Sequence, residues 1–216
     1  MTKKNKILIA TGGTGGHVFP AYSLANYFME KKYKVRITTD NRGYNFLKEY
    51  RDLNLKKIPS SPLIKKSILH FFSSVCIILY SILISLIFLI FNRPTIIFGM
   101  GGYSSFPICI AAKILNIKFI IYENNLIIGK ANKFLLPFTK KIFVSYKTLE
   151  GIPDIYKNKI IEIGNIVRKE IINFNENNAQ VKSFEKLKIL VLGGSQAAKI
   201  FAEKLPQIFQ KCKNNK

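Results

Sequence analysis

The residues equipped for chemistry fall at the joints between apolar runs and helical stretches. Thr11-Gly12-Gly13-Thr14-Gly15-Gly16-His17 follows the apolar run Ile7–Ala10 and precedes Pro20, after which Ala21, Leu24, Ala25 and Phe28 keep the spacing of one helix face. Glycines at the carboxyl end of a strand let the main chain approach a ligand closely. The free N–H groups and dipole at the start of a helix favour an anion there. A phosphate-bearing sugar satisfies both conditions, whereas a tight strand-to-helix turn without a ligand is the other reading of the same residues. Gly99-Met100-Gly101-Gly102-Tyr103-Ser104-Ser105 repeats the design after the apolar run Thr95–Gly99, with Pro107 near the start of the next helix. The run Ile117–Tyr122 then delivers Glu123, Asn124 and Asn125 at its carboxyl end. In an open α/β sheet ligands collect along that edge, where all three groups fall.

The elements that must hold these residues read as an α/β protein with a parallel sheet. Tyr33–Thr38, Lys141–Val144 and Lys159–Ile163 supply further strands, and Gly164-Asn165-Ile166-Val167-Arg168 follows the last of them. Asp40 lies near the spacing of a ribose-binding acid, yet Val18 stands where a dinucleotide fingerprint needs its third glycine. No Lys-Ser or Lys-Thr pair completes a P-loop either, so Asp40 reads as a strand-end turn residue. Residues 1–170 thus read as one α/β domain with a parallel sheet, and 171–186, which contain the polar stretch Asn173–Gln180, read as a linker. Over 187–216 the pattern restarts: a strand at Lys188–Leu192, a third glycine loop Gly193-Gly194-Ser195-Gln196, and a helix over Ala197–Phe209. A lone βα unit cannot bury its apolar faces, so this segment reads as the first piece of a second α/β domain.

Ile68–Phe91 carries no formal charge over a length that could cross a bilayer. Connectivity argues against crossing. Thr95–Gly99 should lie parallel to Ile7–Ala10 in one sheet, so the intervening helix must return the chain to the same side. The favoured reading is a helix with one face on the protein and the other in the lipid interface. The formal net charge is +22, but only five of the 34 basic residues are arginines, and no zinc-finger or RNP-like pattern accompanies them. Nucleic acid is therefore not the expected partner. An anionic membrane surface suits lysines beside an apolar segment, where each contributes about 1 kcal/mol. Cys76, Cys109 and Cys212 are widely spaced and lack metal-type spacing, which points to a reduced compartment, and the MTKKNK start shows no cleavable signal peptide.

TGGTGGHVFPA, GMGGYSSFP, YENN, GNIVR and LGGSQAAK stand in the order and spacing of the MurG family, which the chain resembles over essentially its whole length. The resemblance implies a GT-B fold, two Rossmann-like domains facing across a cleft, with this chain supplying the N-terminal domain and the truncated beginning of the second. It also implies a hexosyltransferase of peptidoglycan synthesis. N-acetylglucosamine would pass from its UDP donor to an undecaprenyl-diphosphate-linked muramyl-pentapeptide, with inversion, at the cytoplasmic face of the cell membrane. By matching motif positions, Thr14, Gly15 and Gly16 would lie against the substrate phosphates or donor sugar, and Asn125 would contact the donor. Arg168 and Ser195 would approach the uridine diphosphate, and Gly102, Tyr103 and Ser104 would receive the acceptor's diphosphate.

His17 would be the general base, with substrate positioning and a purely structural role as its alternatives. Helix N-termini would stabilise the departing diphosphate, so neither a metal nor another cofactor is called for. The chain departs from the family pattern at several places. YENN replaces HEQN, Ile166 replaces a usual proline, Ala197 a usual glycine, and Phe106 occupies a normally small position. A membrane-bound acceptor-binding subunit, working with a separate partner chain that supplies the C-terminal half, is the alternative function.

Overall fold

The computed structural model describes residues 5–61, 68–177, 189–193 and 197–214. It divides into two compact units, 1–174 and 175–216. The first unit is a sheet of seven parallel strands in the order β3-β2-β1-β4-β5-β6-β7. The strands are β1 (Lys6–Ala10), β2 (Lys34–Thr39), β3 (Leu55–Lys57), β4 (Ile96–Gly99), β5 (Phe119–Glu123), β6 (Lys141–Val144) and β7 (Ile160–Glu162). Helices α1 (Gly15–Glu30), α2 (Asn41–Leu47), α3 (Ile68–Phe91), α4 (Ser105–Ile114) and α5 (Lys130–Leu135) connect them, and a short 3-10 helix (Asp154–Lys159) precedes β7.

The central strands ILIA, IIF and FIIY are apolar without interruption because helices cover both faces of the sheet. Alternate side chains then serve two cores. Leu8, Ala10, Ile97, Ile121 and Ile142 pack with α3, α4 and α5, while Ile7, Ile9, Phe98 and Tyr122 pack with α1 and α2. The edge strand β3 escapes the sequence pattern because Leu-Lys-Lys is short and half solvated, and its pairing with β2 alone defines it.

Two local expectations shift. Helix α1 opens at Gly15 and takes Pro20 into its interior. Proline has no N–H to give the carbonyl four residues back. That carbonyl, on Gly16, instead accepts a 2.8 Å hydrogen bond from Nδ2 of Asn124 across the β5 edge. Second, residues 171–177 of the expected linker are helical, within α6 (Lys169–Asn177).

The strand order reverses direction at β1. From there the chain steps outward through β2 and β3, then returns through α3 to place β4 parallel to β1 on its other side. Helix α3 carries out the crossover that the parallel strands require. Ser74, Ser81 and Ser85 are buried on one stripe of it, continued by Phe88 and Leu89. Ser81 Oγ meets the Pro59 and Ile77 carbonyls at 2.7 and 2.6 Å, and Ser85 Oγ donates to the Ser81 carbonyl at 2.7 Å. The opposite stripe is open, with Phe72, Leu79 and Leu83 exposed by 62%, 61% and 55%.

In the second unit, residues 189–193 form no strand, and α7 runs Ala197–Asn214 with Pro206 inside it. Gly194, Ser195 and Gln196 of the third glycine loop lie outside the described residues.

Candidate active site

The point between β1 and β4, where successive connections leave in opposite directions, is where an open α/β sheet forms a crevice. Both glycine loops meet there. They are tied together by the Ser104 hydroxyl, which is buried and donates to the Thr11 carbonyl at 2.9 Å. A Cβ on Gly12 would overlap that hydroxyl, so glycine at 12 is a packing requirement. Asp40 holds the first loop from the other side. One carboxylate oxygen accepts from the Gly13 amide at 3.1 Å and from the Gly43 amide, which opens α2, at 2.7 Å. The strand-end turn residue is thus also a brace for the glycine loop.

His17 rises from the first turn of α1 against the second loop. A Cβ on Gly101 would come within 2.9 Å of its Cε1 and Nδ1, and one on Gly102 within 2.9 Å of the Gly12 carbonyl. Both glycines have positive φ, +85° and +75°. The imidazole therefore lies directly on bare main chain. Its Nδ1 is buried and finds no hydrogen-bond partner among the described residues. Burial lowers the His17 pKa below the ordinary histidine value, against a smaller upward pull from the Glu123 carboxylate and the Met100 main chain. A ring held neutral near pH 7 is in the state that accepts a proton.

Glu123 is 1% exposed and saturated. Oε1 accepts from the Asn125 amide at 3.1 Å and from Asn125 Nδ2 at 2.7 Å. Oε2 accepts from the Gly129 amide at 2.9 Å and from Asn132 Nδ2 at 3.0 Å. With these bonds made, Glu123 acts as the anchor of the β5–α5 loop and contributes negative potential toward His17. The walls enclose a cavity of about 160 Å³ lined by His17, Gly101, Gly102, Tyr103, Asn125 and Lys130, among others. It combines a proton acceptor, a cation and exposed main chain, a set suited to an anion beside a sugar hydroxyl.

Of the residues singled out from sequence, His17, Gly102, Tyr103 and Asn125 line this cavity together. Thr14 caps α1 through its carbonyl, which accepts from the His17 and Val18 amides at 3.1 and 3.2 Å. Gly15 packs under the Phe19 ring, and Gly16 faces solvent. Ser104 serves the loop-to-loop bond described above, so its hydroxyl is engaged. Arg168 does not line the cavity; its guanidinium stacks 4.6 Å from the centroid of Phe19 on α1. Sequence reasoning passed over Gly101, Lys130 and Asn132. Gly101 stood within a quoted loop, but only the contact with His17 marks it. Lys130 and Asn132 carry no local signal, since α5 brings them to the site.

Residues 7–144 match the model of the glycosyltransferase family 28 N-terminal domain. The chain belongs to glycosyltransferase family 28. Curated relatives in this family include the UDP-N-acetylglucosamine--N-acetylmuramyl-(pentapeptide) pyrophosphoryl-undecaprenol N-acetylglucosamine transferase of Pelagibacter ubique, 38% identical over 196 residues, covering 91% of this chain and 53% of the relative. The equally named protein of Rickettsia canadensis is 37% identical over 208 residues, covering 95% of this chain and 56% of its own length. Among solved structures, Acinetobacter baumannii MurG superposes with a TM-score of 0.69 at 22% identity, over 96% of this chain and 57% of that one. The shared fold is that of the N-terminal domain of a GT-B glycosyltransferase. The chain spans about half the length of the curated relatives it matches.

Proposed function

We propose that this chain is the acceptor-handling half of an inverting hexosyltransferase that moves N-acetylglucosamine from UDP-N-acetylglucosamine to undecaprenyl-diphosphate-linked muramyl-pentapeptide. The observation that carries the reading is the His17 imidazole, its pKa lowered by burial, on the glycine floor of a cavity that also holds Lys130. His17 takes the proton from the attacking sugar hydroxyl as that oxygen reaches the anomeric carbon. The leaving uridine diphosphate departs from the opposite face. Gly102 and Tyr103 receive the acceptor's diphosphate with Lys130 beside them, and Asn125, fixed by Glu123, faces the donor sugar. Thr14, Gly15 and Gly16 at the start of α1, together with Arg168 and Ser195, approach the donor.

On this reading the protein sits at the cytoplasmic face of the membrane as a peripheral protein, with the exposed stripe of α3 turned toward the lipid. An apolar face of this length immerses in the interface, and nearby lysines favour anionic lipid. Ser81, bonded to the Pro59 carbonyl, and Ser74, bonded to the Ser61 hydroxyl, hold the inner stripe to the rest of the domain and support this arrangement over a span.

The direct test is binding of the lipid-linked muramyl-pentapeptide in detergent micelles to this chain. Saturable binding is expected, and its absence overturns the reading. In a complete enzyme carrying these residues, His17→Ala should lower kcat by about 100-fold or more with little change in KM. A loss confined to KM would assign His17 to substrate positioning.

A further inference from the structure

Next to the His17 cavity lies a second cavity, of about 150 Å³, walled by apolar side chains. Phe106 and Phe134 meet edge to face across it, their centroids 6.4 Å apart. Ile78 of α3 closes the far wall, on the inner stripe shared with Ser74 and Ser81. The two cavities adjoin: Tyr103, Lys130 and Ala131 line both. From the imidazole outward the order is therefore polar cavity, cation, apolar cavity, and then the inner stripe of α3. Lys130 makes no ion pair among the described residues. A molecule with a sugar at one end, an anion in the middle and a hydrocarbon chain at the other has its parts in this order.

We infer that the second cavity is an isoprenoid subsite, holding the first five-carbon unit of the polyprenyl chain next to its diphosphate. The inference rests on the acceptor reading above and adds to it a subsite for the lipid. Its size is suited to the task, because an apolar cavity of roughly 150 Å³ accommodates about six carbon atoms. Phe106 gives the unusual large residue in the second glycine loop a role, as one wall of the slot. The diphosphate then sits at the Lys130 junction, and the rest of the chain leaves along α3 toward the lipid. Holding the first unit in protein fixes the distance from the membrane surface to His17, which a freely moving chain would leave undefined.

The test is titration of this chain with inorganic diphosphate, dimethylallyl diphosphate and farnesyl diphosphate. Burying most of one five-carbon unit in a half-open slot should tighten binding of dimethylallyl diphosphate about 10- to 100-fold over inorganic diphosphate. Farnesyl diphosphate should add far less beyond that. Phe134→Ala, at a position 64% exposed and so tolerant of change, should erase most of the gain while leaving inorganic diphosphate binding intact. Lys130→Gln should weaken all three ligands by similar factors and keep the gain. Equal binding of inorganic and dimethylallyl diphosphate overturns the subsite while leaving the acceptor reading standing. Failure of all three to bind overturns both. Competition by a short-chain phosphatidylglycerol as strong as that by dimethylallyl diphosphate would show a slot for membrane acyl chains, and overturns the isoprenoid assignment.

Discussion

Replacing Gly101 by alanine imposes two costs that a second variant separates. The first is conformational: at φ +85° an alanine costs about 1–2 kcal/mol relative to glycine. The second is local overlap. The new methyl would lie 2.9 Å from Cε1 and Nδ1 of His17, closer than carbon atoms rest, and pushing a ring aside in a packed site costs about 1–3 kcal/mol. Gly164→Ala carries the first cost alone, since its φ is +76° and a methyl there would meet no atom within 4 Å. Gly101→Ala should therefore be less stable than Gly164→Ala by about 1–3 kcal/mol, or roughly 2–12 °C in Tm for a chain of this size. The assay pairs thermal unfolding with the NMR resonance of the His17 ring, which should move in Gly101→Ala and stay in place in Gly164→Ala. Equal destabilisation with an unmoved His17 resonance would refute the claim that the imidazole rests on the Gly101 main chain.

Three further outcomes follow from the same geometry. Burial holds the His17 pKa below its ordinary value, so the folded state binds fewer protons than the unfolded one, and the stability present above about pH 6.5 is lost as pH falls through it; the Tm of wild type should drop between about pH 7.5 and 5.5 more steeply than that of His17→Gln. Asp40→Ala removes the cap on the Gly43 amide and the brace on the Gly13 amide, and should cost about 1–2 kcal/mol in denaturant unfolding. Leu79→Glu with Leu83→Glu changes only exposed positions of α3, so stability should hold within about 1 kcal/mol while sedimentation with anionic vesicles falls by 10-fold or more; retained sedimentation would remove α3 from the membrane contact.

Much of the architecture was legible because its causes are local or periodic. Uninterrupted apolar runs mark strands buried on both faces, and glycine clusters after them mark the carboxyl edge, so β1, β4 and β5 with their loops stand out in the sequence. Helix α3 was equally plain, and the need for parallel neighbours gave its crossover role. The edge strand β3 was hidden because three residues carry no period. The start of α1 was misplaced because Pro20 looks like a helix opener; only Asn124, distant in sequence, makes its interior position tolerable by taking up the Gly16 carbonyl.

Sequence by itself determined which chemical groups are present at the carboxyl edge: glycine main chain, one histidine, the acids Asp40 and Glu123, and the two asparagines that follow Glu123. Tertiary structure decided their duties. Accepted hydrogen bonds from the Asn125 and Gly129 amides and from two asparagine side chains make Glu123 an anchor, and the Ser104 hydroxyl, a phosphate ligand by the family resemblance, is found on the Thr11 carbonyl. Gly101 becomes the seat of His17, and Lys130 joins the site from α5. The reason is physical: residue type and spacing fix backbone conformation over a few positions, whereas hydrogen-bond saturation, desolvation and cavity shape arise only when segments far apart in the chain close on one another.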